Sequence, residues 1–175
     1  MIIRVVVALV LLAIPLGHSF GQGQGDLDKL DDKFTKYFER IMPGWTHKRG
    51  EPIVKTENVL IEFWYASNRS VKISVAPHKS GEEAREALQA FIKYEAKREA
   101  LKDFGDEGYA WGYGSSNIVF RRGRCVVYVS TNAEIDADPD ARTLTQEQRF
   151  EREKSEMRRL SLEFAKHAVN ALDKP

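Results

Sequence analysis

One cysteine, Cys125, stands in a chain of 175 residues, so no intramolecular disulfide can form and packing alone must hold the fold. Excess charge is missing too. The 27 basic residues face 26 acidic ones, a balance that argues against nucleic acid as the partner. No apolar run reaches membrane length: Val5 to Ile14 is about half what a spanning helix needs. Metal spacing is absent among the histidines, since His47, His78 and His167 stand far apart in the chain.

What is present begins with "MIIRVVVALVLLAIPLGHSFG", which has the grammar of a cleaved secretory signal: Arg4, the apolar run, Pro15, then small residues at Gly17, Ser19 and Gly21. The expectation is a signal peptide over 1–21, a flexible leader over 22–25 and a single domain over 26–175. The protein would be secreted or periplasmic, with no membrane span after cleavage. No cysteine closes the apolar run, which speaks against a lipid anchor. Without residues 1–21 the chain keeps 26 residues of each charge sign, and its hydrophobic content of 42% suits one globular domain with a real core.

Leu27, Leu30, Phe34, Tyr37, Phe38 and Ile41 recur at helical spacing, with Asp26 placed to cap and Pro43-Gly44 to end the run. "ENVLIEFWYASNRSVKISVAP" alternates in two arms, Val59, Ile61, Phe63, Tyr65 and Val71, Ile73, Val75, around a Ser-Asn-Arg-Ser turn. That predicts a hairpin with those residues on its buried face. Residues 45–55 read as an earlier, less regular strand. A second helix opens on a capping box, Ser80 and Glu83, carries Ala84, Ala87, Leu88, Phe91, Tyr94 and Leu101 on one side, and closes at Gly105. Three short strands follow, "YAWGY", "NIVFR" and "CVVYVST". Arg121-Arg122-Gly123 suits a type I turn with a left-handed glycine bulge.

The last helix aligns Phe150, Met157, Leu160, Phe164, Ala168 and Ala171, with Thr143 or Thr145 as its cap and the pairs Glu151–Lys154 and Glu156–Arg159 outside. The predicted fold is α+β: a twisted, mainly antiparallel sheet of about five to six strands with three helices, in the order helix, strands, helix, strands, helix.

Several motifs dissolve on inspection. "GHSFG" at 17–21 fits the G-x-S-x-G nucleophile elbow, but the elbow needs a strand before it and a helix after it, and Ser19 ends the signal. "GYGSSN" starts like a dinucleotide fingerprint, yet Asn117 holds the place of the third glycine and a strand follows. Asp136, Asp138, Asp140 and Glu147 occupy positions 1, 3, 5 and 12 of a twelve-residue calcium loop. Ala141 replaces the turn glycine, which excludes an EF-hand and leaves these four as candidates for a looser calcium site. No other cofactor is expected. The acid pair Asp106-Glu107 has no second carboxylate identifiable opposite it and reads as a helix-to-strand turn. "HKR" at 47–49 and "RRGR" at 121–124 read as solvated strand ends that would attract an acidic polymer only if they converge.

Tyr109, Trp111 and Tyr113 share one face of a strand, with Ala110, Gly112 and Gly114 on the other. The small residues would let a helix approach closely. The aromatic face either packs, the plainer reading, or offers flat rings with polar tips to a ligand.

The run Gly105-Asp106-Glu107-Gly108-Tyr109, a small-residue turn, a strand ending Phe120-Arg121-Arg122-Gly123 and a valine-rich strand together resemble a pattern in poorly characterised bacterial exported proteins and in the sensor-like extracellular domains of mycobacterial serine/threonine kinases. About 30 residues carry the likeness. It implies an α+β domain with a twisted antiparallel sheet, sometimes with a ligand cleft. The chain lacks the disulfide cysteines of those kinase sensors, and no catalytic residue transfers.

The expectation for function is an exported, non-catalytic protein that binds a small molecule, glycan or protein, using Tyr109, Trp111 and Tyr113 as stacking surfaces together with Trp64, whose strand face opposes the regular apolar one. Two alternatives stay open: an enzyme with acid-base chemistry at Asp106 or Glu107, and an envelope assembly protein that pairs through a strand edge or the last helix.

Overall fold

The computed structural model describes residues 23–52 and 58–173. In chain order they form α1 (Gly23–Ile41), β1 (Thr46–Arg49), β2 (Leu60–Ala66), β3 (Arg69–Pro77), α2 (Gly81–Ile92), β4 (Glu99–Leu101), β5 (Glu107–Trp111), β6 (Asn117–Arg122), β7 (Cys125–Ala133) and α3 (Gln146–Asp173). One antiparallel sheet runs β1-β2-β3-β7-β6-β5-β4. Two meanders therefore meet at the β3–β7 pair, and α2 carries the chain from the middle of the sheet to its far edge. The predicted signal peptide lies outside the described residues, and so do residues 53–55 of the predicted early strand. Among the described residues no helix is long and apolar enough to cross a membrane.

The two faces of the sheet are unlike. On the first, Phe34 and Phe38 of α1 and Leu160 and Phe164 of α3 press on Leu60, Trp64, Val71, Ile73, Ile118, Phe120, Val127 and Val129, all fully buried or nearly so. Phe38 sits 5.4 Å from Trp64 and 5.5 Å from Phe164, ring to ring. On the second face α2 lays Ala84, Leu88 and Ile92 over Val119 and Val126. Thr145 caps α3 in a reciprocal box, its hydroxyl accepting from the Gln148 amide at 3.2 Å while Gln148 Oε1 accepts from the Thr145 amide at 2.9 Å.

The α+β order with three helices is as the sequence predicts, but the described residues form seven strands, and the extra one comes from a helix that stops early. The periodic run from Ser80 predicts a helix to Gly105; α2 ends at Ile92, Tyr94 is 77% exposed, and Glu99–Leu101 pairs with β5 instead. Beyond Ile92 a longer helix would have no sheet beneath it to bury its stripe, whereas an added strand covers the edge of β5. At the other end, Gly23 to Gly25 of the expected flexible leader are helical, so Asp26 lies within the first turn of α1 rather than capping it.

A second difference is one of phase. A two-residue turn at Ser67-Asn68 pairs Ala66 with Arg69, which sets Trp64 opposite Val71 and Glu62 opposite Ile73. The core face of β2 is thus Leu60, Glu62 and Trp64, and Ile61, Phe63 and Tyr65 point the other way. The β6–β7 loop is also tighter than predicted: Arg122 pairs with Cys125, leaving Gly123 and Arg124 in a two-residue turn with Gly123 at φ +57°.

Beyond Trp111 the small residues do admit a helix. A Cβ on Gly114, at φ +60°, would stand 2.7 Å from the Lys154 Cα of α3.

Candidate functional site

Of the aromatic residues expected to form one surface, the fold keeps two together. Tyr109 and Trp111 lie half-buried on the second face beside α2, with Trp111 5.9 Å from Phe91 and stacked 6.0 Å from Tyr128. Gly112, at φ +87°, ends the strand and turns Tyr113 away towards α3, where its hydroxyl donates to the Phe150 carbonyl at 3.2 Å. Trp64, expected on an exposed face, is 1% accessible inside the first-face core. The change of phase in β2 accounts for it.

The calcium candidates are held by arginines rather than by one another. Asp136 pairs with Arg149 at 3.3 Å, Asp138 with Arg69 at 3.4 Å and Arg152 at 3.3 Å, and Asp140 with Arg152 at 2.8 Å, while Glu147 is exposed on the first turn of α3. Among the described residues no group of three His, Cys, Asp or Glu is placed to hold a metal ion. Asp106 is likewise occupied. It binds Arg121 at 2.7 Å, Arg122 at 3.1 Å and the Gly123 amide at 2.9 Å, which pins the β6–β7 turn to the start of β5. Glu107 accepts from Tyr109 at 2.7 Å and from Gln89 at 2.6 Å. The basic runs at 47–49 and 121–124 do not converge, because β2, β3 and β7 stand between their strands.

Residues paired directly across neighbouring strands share a face, and following the register across the second face yields one continuous row: Lys48, Phe63, Lys72, Ser130, Asn117, Trp111. The row beside it is Thr46, Tyr65, Ser70 and Asn132. α2 packs over β6 and β7 and bounds the row at Trp111 and Tyr128 through Phe91; among the described residues no helix covers this face of β1, β2 or β3. Phe63 and Tyr65 stack at 6.3 Å with their planes 15° apart, and Tyr65 is 41% exposed. Beside them a groove of about 440 Å³ is lined by Lys48, Arg49, Gly50 and Glu51.

The result is a shelf with aromatic rings at both ends and hydroxyl, amide and ammonium groups between. Lys72 is central to it, half-buried and without a carboxylate partner among the described residues, and burial lowers its pKa. Asn117 is fixed by the Tyr128 hydroxyl, which donates to its Oδ1 at 2.6 Å. A larger groove of about 560 Å³, between Glu134–Asp136 and Phe150, lies away from this shelf at the N-terminal end of α3.

Directly beneath the shelf, on the closed face, sits the most perturbed acid. Glu62 is inaccessible to solvent; burial, then the neighbouring Asp31, push its carboxyl up to about 9, against a smaller opposing pull from Arg49. Its Oε2 contacts His47 Nε2, and burial lowers that imidazole's pKa, so the contact joins two groups that burial keeps uncharged. Arg49 holds Asp31 at 2.6 Å. Neither groove is lined by Glu62, so it meets the pKa condition for an acid catalyst but not the condition of access.

Lys72 goes unnamed in the sequence, although "SVKISV" carries the signal, strict alternation of polar and apolar residues marking a strand with one face away from the core, and Phe63 falls on the buried face predicted for its strand. No family model matches the chain, and neither the curated proteins nor the solved structures compared with it contain a match.

Proposed function

We propose that this is an exported, non-catalytic binding protein whose ligand lies across the open shelf from Phe63 and Tyr65 to Trp111. The observation that carries the reading is the cross-strand row, which among the described residues no helix covers over β1, β2 and β3 and which reaches the edge of α2 at Trp111; in it rings flank groups able to donate and accept hydrogen bonds. Export rests on the signal-like first 21 residues. The catalytic alternative has no comparable support, since Asp106 and Glu107 serve as turn and strand clamps and Glu62 is sealed. Assembly by edge pairing is disfavoured by the edges themselves. β1 is four residues with three basic or imidazole side chains, and β4 is three residues whose Glu99 is bound by Arg158.

The test uses Trp111 as reporter in protein carrying Trp45→Phe and Trp64→Phe, titrated with oligosaccharides, peptides and small aromatic compounds. Binding is expected to shift Trp111 emission and reduce its quenching by acrylamide, and Phe63→Ala is expected to weaken the response at least tenfold. Ligand binding that leaves Trp111 unchanged and tolerates Phe63→Ala would move the site elsewhere.

A further inference from the structure

Resting on that binding surface, we infer that its ligand is an acidic oligosaccharide, a chain of pyranose rings bearing carboxylates, with Lys72 as the residue that selects for charge. The row from Phe63 to Trp111 crosses four strand spacings, roughly 19 Å at about 4.8 Å each, a length that suits an extended ligand of several linked rings rather than a small molecule. Rings stand at both ends of the row, Phe63 with Tyr65 at one and Trp111, half-buried against Tyr128 and Phe91, at the other, and their remaining accessible faces suit the C–H faces of sugars. Between and beside them Ser70, Ser74, Ser130 and Asn132 pair naturally with sugar hydroxyls, which both donate and accept.

Charge decides the class. Lys72 stands between Phe63 and Ser130, and Lys48 stands on the other side of Phe63; neither has an ion-pair partner among the described residues. Arg49, Arg69, Arg121, Arg122, Arg152 and Arg158 are each matched to a carboxylate, and Arg85 and Arg124, which lack one among the described residues, are exposed, whereas Lys72 is half-buried. A half-buried ammonium left without a counterion on an open surface is complementary to a ligand anion, and burial lowers its pKa in the direction a bound anion would reverse. An acidic peptide fits less well. Extended peptides are recognised chiefly through free backbone groups at a strand edge, whereas the strands beneath the shelf, β2, β3, β7, β6 and β5, are paired on both sides.

The experiment is calorimetric titration of the unaltered protein with hexamers of galacturonate, with mannuronate–guluronate hexamers, with the carboxyl-reduced neutral form of each, and with hexaglutamate. At least one uronate hexamer is expected to bind at least tenfold more tightly than its reduced form. Lys72→Met should remove most of that preference, Lys72→Arg should retain it, and rising salt should erode it. Circular dichroism on each variant separates lost binding from lost folding. If reduced and acidic chains bind equally, and Phe63→Ala weakens both, the binding surface stands and the acidic class is overturned. If hexaglutamate binds more tightly than every glycan, the ligand class is peptide and the proposal falls. If no glycan or peptide binds and Trp111 emission does not respond, the proposal fails together with the reading on which it rests.

Discussion

β3 and β6 flank β7 on either side and pair with it in the same antiparallel way, yet they live in different environments. Ile118, Val119 and Phe120 of β6 are consecutive and all fully buried, because α3 closes one face and α2 the other. In β3 only alternate residues, Val71, Ile73 and Val75, are fully buried, and Ser70, Lys72 and Ser74 between them remain half-exposed. Among the described residues one half of the sheet has a helix on both faces and the other half on one face only. The unequal layering places two buried or half-buried ionisable groups back to back on adjacent strands. Glu62, under α1, stays protonated; Lys72, on the open side, has no counterion among the described residues.

The sharpest way to break this comparison is to truncate neighbours on opposite faces of β2. Trp64→Ala, in the closed layer, is expected to cost about 3–5 kcal/mol in denaturant unfolding, whereas Phe63→Ala should cost less, about 2 kcal/mol, because its ring is only partly buried. Similar losses would mean that the second face of β2 is closed after all. Next in size is Gly114→Ala, which adds left-handed strain and drives a Cβ onto the backbone of α3; a loss of about 3 kcal/mol is expected, seen as a lower melting temperature.

Glu62 gives the third prediction, with opposite sign. Its carboxyl titrates near 9 in the folded chain against 4.5 as a free side chain, so the folded state holds a proton that the unfolded state releases. Its contribution is therefore most favourable below pH 4.5 and declines as pH rises from there to about 9. Glu62→Gln should stabilise the protein by roughly 1–3 kcal/mol at pH 7 and flatten the alkaline side of its stability profile. If the variant is destabilised at pH 7, the carboxyl is ionised in the native state and paired with a charged His47.

The smallest effect concerns Glu156, which Arg159, and then Arg69 at 2.6 Å, hold down to about 2 despite burial. Stability from this group is present above pH 4.5 and lost as pH falls towards 2, so Glu156→Gln should cost about 1 kcal/mol at pH 7 and nothing at pH 2. Acid titrations of wild type and variant followed by circular dichroism check the window.

Legibility in the sequence followed how local each cause was. Ser80 caps α2 as expected, the Glu83 amide donating to Ser80 Oγ at 3.1 Å, although the Glu83 carboxylate accepts from the Lys79 amide at 2.8 Å rather than from Ser80; the Glu151–Lys154 and Glu156–Arg159 pairs also form, because each needs only residues three apart on one helix. Phe150 shows where this stops. It continues the stripe of α3 in sequence, yet it is 48% exposed, since the first turn of the helix runs past the sheet. Trp64 and Phe63 exchanged roles for a similar reason: the face of a strand depends on the turn that sets its register, and "ASNRS" permits more than one turn.

By itself the sequence determined the α+β order, the stripes of α1 and α3 and the reliance on packing without disulfides, all of which follow from nearest-neighbour periodicity and composition. Only the tertiary structure decided that β3 and β7 join the two meanders, that Glu99–Leu101 is a strand, and that Phe63, Lys72, Asn117 and Trp111 fall in one row. Those residues are separated by up to 54 positions in sequence, and strand pairing alone brings them together.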